Sequence, residues 1–98
     1  MSVESSGDIE TVCKSAQTVG ERILLVFRAH EEATPPFNIK VKAPSGKVIL
    51  ERVLRELPTG KPQSAPAVEF TASTAGDYTL VISQLYGKQK GEATIRVA

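Results

Sequence analysis

The sequence predicts an all-β fold: an antiparallel β-sandwich of about seven strands. Three observations lead there. Short segments alternate apolar and polar residues with period two, as in Phe37-Asn38-Ile39-Lys40-Val41-Lys42. Clusters rich in Gly, Pro, Ser and Asp separate these segments. The segments fit within a chain of 98 residues, the size of one sandwich.

Taken in order, residues 1–8 are polar and acidic and read as a flexible tail, leaving 9–98 as one sandwich domain. Asp8 to Cys13, with apolar Ile9 and Cys13 around polar positions, suits a first, edge strand. After Gly20, Glu21 to Ala29 carries Ile23, Leu25 and Phe27 on one face and Leu24 and Val26 on the other. Apolar on both faces, it is expected at the centre of a sheet. His30 to Pro36 reads as a loop, because Pro35-Pro36 offers no ladder donors. Phe37 to Ala43 puts Phe37, Ile39 and Val41 inward, and the Pro44-Ser45-Gly46 turn folds it into a hairpin with the segment from Lys47.

Val48 to Leu57 admits two readings. Leu50, Val53, Leu54 and Leu57 recur at helical spacing, yet Lys47 to Leu50 completes the hairpin. A strand over 47–52, extended by an irregular or helical turn before Pro58, is the reading preferred. Thr59 to Pro66, with Gly60, Pro62 and Pro66, is expected to be a mobile loop. Val68 and Phe70, then Tyr78, Leu80 and Ile82, then Ala93, Ile95 and Val97 mark the inward faces of three last strands. Between the final two, Gly87 to Gly91 reads as a basic hairpin loop.

Composition narrows the function. Twelve basic against eleven acidic residues give a net charge of +1, and there are three Phe, two Tyr and no Trp. This argues against a nucleic-acid binder, which needs a clustered basic face and several stacking platforms. The longest apolar run, Ile23 to Phe27, is too short to cross a bilayer. With no basic or apolar leader at the N-terminus, the chain as written is expected in the cytoplasm.

The chemical inventory is thin. His30 is the only histidine and Cys13 the only cysteine, which is too little for a tetrahedral zinc site. Neither Asp8 nor Asp77 lies near a serine in a nucleophile elbow, and Glu31-Glu32 reads as a solvated pair. Gly87-Lys88-Gln89-Lys90-Gly91 has no following helix to cradle a phosphate. Cys13 reads as a small buried apolar residue. The expectation is a protein that is not an enzyme and takes no cofactor, metal or small-molecule substrate.

Several phrases together resemble the Golgi-dynamics (GOLD) domain of small transmembrane cargo receptors. They are Thr11-Val12-Cys13, Val19-Gly20 with the strand to Phe27, Phe37 to Val41 with Ala43-Pro44-Ser45-Gly46, Val68 to Ala72, Gly76-Asp77-Tyr78 with the strand to Ser83, and Ala93 to Val97. The resemblance covers about 11–98 and implies a protein-binding adaptor in membrane trafficking, at a secretory-pathway membrane if a longer parent carries it. The family's second cysteine would fall at Val81, so Cys13 lacks the disulfide partner the resemblance implies. The alternatives are a lipid- or carbohydrate-binding module similar to prepeptidase C-terminal domains, and a filamin-type structural repeat. Lys40 and Lys42, on an outward strand face, and Lys88 and Lys90, in the last hairpin, are the candidate contacts for a protein partner or an anionic membrane surface.

Overall fold

The computed structural model describes residues 2–13, 15–28, 35–55 and 68–98. They form eight strands: β1 Ser2–Gly7, β2 Glu10–Cys13, β3 Arg22–Arg28, β4 Phe37–Lys42, β5 Val48–Leu54, β6 Val68–Thr71, β7 Gly76–Gln84 and β8 Lys90–Val97. Five make one antiparallel sheet in the order β1-β8-β7-β4-β5, and three make the other in the order β2-β3-β6. The expected all-β sandwich is the observed architecture, with one strand more than the alternation suggested.

Period two decides which residues meet between the layers. Phe37, Ile39 and Val41 from β4, Tyr78, Leu80 and Ile82 from β7, and Ala93, Ile95 and Val97 from β8 are buried. Ile23, Leu25 and Phe27 from β3 and Val68 and Phe70 from β6 complete the core from the smaller sheet. As its two apolar faces required, β3 is the central strand of its sheet, and Val26 on its outer face is also buried. The Phe70 and Tyr78 rings meet across the layers with centroids 5.6 Å apart. The Tyr78 hydroxyl donates to the Thr74 carbonyl at 2.8 Å, so the one polar atom of this buried ring is satisfied four residues upstream. That is the corner geometry found where a strand enters a sandwich of this kind.

Three sequence expectations need correction. The flexible tail is not one: Ser2–Gly7 pairs along its length with Gly91–Arg96 of β8. Its composition hid this, since only Val3 packs against the core and the rest of the strand is small or polar. The irregular or helical turn expected after residue 52 is strand as far as Leu54. Residues 48–54 form one strand whose register shifts between Val41 and Lys42, leaving Ile49 as an extra residue on β5. That extra residue breaks the alternation, which is why the segment reads as helical in spacing. Finally, β7 runs to Gln84 and β8 begins at Lys90, so the last hairpin loop is Leu85 to Gln89, two residues earlier than Gly87 to Gly91. The expected loops at 30–36 and 59–66 lie mostly or wholly outside the described residues.

The chain passes from the larger sheet to the smaller at Gly7-Asp8-Ile9. Ile9 is fully buried, and the Asp8 amide donates to the Lys90 carbonyl at 2.7 Å. The crossing lies so close to β8 that a Cβ at Gly91 would overlap the Ile9 carbonyl oxygen. Gly7 has φ of 96°, and a Cβ there would stand 2.7 Å from the Lys90 carbonyl oxygen. Two glycines therefore let two backbones touch where the sandwich closes.

Two substitutions test this packing. Gly91→Ala is expected to cost about 2–3 kcal/mol, because backbone rather than a flexible side chain must give way. Tyr78→Phe is expected to cost about 1 kcal/mol, the net contribution of one buried hydrogen bond. Urea unfolding followed by circular dichroism measures both. An unchanged midpoint for Gly91→Ala would show that the crossing is looser than described.

Candidate interaction surface

Among the described residues the larger sheet ends at β1 and at β5, and the two edges differ in how the core supports them. The three-stranded sheet covers β8, β7 and β4, whose inward residues are buried throughout. β5 overhangs. Its inward row is Leu50, Arg52 and Leu54, opposite Val41, Ile39 and Phe37. Leu50 and Leu54 are only half-buried against the core rim, and Arg52 is exposed. On its other side, Val48, Ile49 and Val53 are 41%, 40% and 47% exposed. An edge strand seven residues long, apolar on both faces and with no strand on its outer side among the described residues, is a place where a further strand can add.

Register places the expected site residues. On the outward face, Lys40 stands between Val81 of β7 and Glu51 of β5, and Lys42 between Thr79 and Val48. Lys40 Nζ lies 3.6 Å from Glu51, an exposed pair contributing about 0–1 kcal/mol. Lys42, Lys47, Arg52 and Arg55 make no ion pair among the described residues. Lys40 and Lys42 are therefore brought together, and the fold adds Lys47, Arg52 and Arg55 around the same edge. Lys90 lies two strands away from β4, at the start of β8 beside Ser83, and Lys88 is exposed in the β7–β8 turn. The four lysines do not form one cluster.

Sequence reasoning missed Val48, Ile49 and Val53 as surface residues, since the bulge conceals which face each occupies. It also missed Leu85 and Tyr86, 45% and 87% exposed in the β7–β8 turn. The isolated position of this pair, outside every alternating run, was the signal available.

The opposite edge, β1, carries one charged residue, Glu4, opposite Thr94 of β8. Asp77 accepts from Arg96 at 3.1 Å, and that bond and charge, with a smaller contribution from Glu4, raise the Arg96 pKa. A crevice of about 430 Å³ opens between β1 and β2, lined in part by Ser5, Thr11 and Cys13. The buried Thr11 hydroxyl has no hydrogen-bond partner there among the described residues. Cys13 is half-buried rather than buried, a free thiol within 3.3 Å of the Ser15 carbonyl. Its strand is a sheet edge, so only part of the side chain is covered. No group of three or more His, Cys, Asp or Glu side chains is placed to hold a metal ion among the described residues. No helix among them is long and apolar enough to cross a membrane. His30, Glu31 and Glu32 lie outside the described residues. No family model matches the chain, nor does any curated protein or solved structure.

Arg52 puts an exposed charge on this apolar edge, and such a charge opposes pairing between copies of the edge. Arg52→Leu is therefore expected to produce concentration-dependent association in sedimentation velocity at low protein stability cost. A variant that stays monomeric at every concentration would remove that role from Arg52.

Proposed function

We propose that this chain is a non-catalytic protein-interaction module that receives an extended segment of a partner as an added strand on β5. The single observation behind it is the overhanging edge, seven residues long with Val48, Ile49 and Val53 exposed. Strand addition draws affinity from main-chain hydrogen bonds and specificity from alternate side chains, and β5 offers both. In this reading Lys40 and Lys42 flank the bound strand, and neither nucleic acid nor a small-molecule substrate is the ligand. The GOLD-like phrases of the sequence support a role as an adaptor in membrane trafficking or in a scaffold, because they follow the strands that build this sandwich.

Titration with a panel of extended seven- to nine-residue peptides of alternating apolar pattern, followed by amide chemical shifts, tests the reading. Shifts clustered on residues 48–54 and spreading to β4 are expected. Shifts scattered over both sheets, or confined to the β2 or β6 edges, would contradict it.

A second reading has one observation in its favour. Leu85 and Tyr86 project beside Lys88 at a hairpin tip, a combination suited to the headgroup region of an anionic membrane. Flotation with phosphatidylserine-containing liposomes checks it: salt-sensitive binding lost in Tyr86→Ser is the outcome it requires, and no flotation removes it.

A further inference from the structure

The net charge of +1 conceals an uneven distribution. Residues 37–55, the β4–β5 hairpin and its flanks, contain Lys40, Lys42, Lys47, Arg52 and Arg55 against Glu51 alone. That hairpin carries +4, so the other residues together carry −3. Lys40 is the one cation of the five with a carboxylate beside it among the described residues. An approaching strand therefore meets four cations along and around the β5 edge that have no ion pair among the described residues.

Their positions are informative as well as their number. The core-side row of β5 reads Leu50, Arg52, Leu54, with a half-buried leucine on each side of an exposed arginine. A strand added next to it sets its own core-side row against this one, with directly opposed side chains about 5 Å apart. Apolar side chains in that row cover Leu50 and Leu54, and a carboxylate between them meets the Arg52 guanidinium. Arginine suits this role, since its planar fork pairs with a carboxylate through two parallel hydrogen bonds. Arg55 beyond one end of β5, and Lys42 and Lys47 at the other, favour further acidic residues at both flanks.

We infer that the segment β5 receives is an acidic one: apolar, any residue, Asp or Glu, any residue, apolar, with acidic flanks. The pattern is symmetric, so it holds for a parallel or an antiparallel partner. Charge complementarity selects it in two ways. It attracts acidic segments over a range that salt shortens, and it rejects basic or self-like strands, whose cations would lie against Arg52. The inference rests on the strand-addition reading above and adds to it the chemistry of the partner.

The test uses the 98-residue chain and three synthetic peptides of one length and apolar pattern, with Glu, Gln or Lys at the central core-side position and at the flanks. The Glu peptide is expected to bind about tenfold more tightly than the Gln peptide at low salt, as several exposed pairs acting together would give. The gap narrows at high salt, and the Lys peptide does not bind. Arg52→Glu reverses the order of the Glu and Lys peptides, and its amide spectrum shows directly that the variant is folded. Equal binding of the Glu and Gln peptides on β5, insensitive to salt, would overturn the acidic preference while leaving strand addition in place. No β5 shift with any peptide would overturn both. Concentration-dependent shifts at β5 and β1 in the chain alone would make a second copy the occupant, joined through its Glu4 edge, and overturn the inference. Binding of duplex DNA or anionic vesicles through the lysines without β5 amide shifts would do the same.

Discussion

Three strands packed over five cannot bury all of the wider sheet, and most of this molecule's surface character follows from that. The inner three strands of the wide sheet, β8, β7 and β4, direct buried residues at the core in strict alternation. The outer two are left partly uncovered. β1 meets the difficulty by being mostly polar, with Val3 packed against the core and Ser5 Oγ accepting from the Thr11 amide. β5 meets it differently, keeping Leu50 and Leu54 at the core rim and placing Arg52 between them. One edge needs little cover, and the other keeps apolar side chains exposed along its length.

The same mismatch explains why the closure at Gly7-Asp8-Ile9 matters. The chain must leave the wide sheet and enter the narrow one within a few residues, and it does so against the backbone of β8. Any side chain at Gly91 would hold the sheets apart on that side. With the β1 side closed and the Tyr78 hydroxyl anchored to Thr74, the inner strands form a stiff base. β5 extends from that base by its pairing with β4, its one strand neighbour among the described residues.

Most of the core was legible because its strands obey period two without interruption. Phe37-Ile39-Val41, Tyr78-Leu80-Ile82 and Ala93-Ile95-Val97 can be assigned to one face by inspection. β1 was not legible, since a strand held by main-chain pairing to β8 needs no apolar pattern of its own. β5 was half legible. The turn at Pro44-Ser45-Gly46 showed that a hairpin follows, but the extra residue at Ile49 shifts the faces and mimics helical spacing. The candidate site suffered for the same reason: Lys40 and Lys42 stand out from the alternation of β4, whereas Arg52, Val53 and Val48 need the register of the neighbouring strand. Net charge concealed the rest, because it averages a basic hairpin against an acidic remainder.

Residue-resolved amide hydrogen exchange on the free chain tests the central claim most directly. If β5 is an open edge, amides along Val48–Leu54 alternate between slow exchange, where they bond to β4, and fast exchange, where they face outward. Amides of β4, β7 and β8 are slow throughout their paired lengths. Slow exchange at every β5 amide in the isolated chain would show that the edge is already covered, and the account of this protein as a strand-accepting module would not stand.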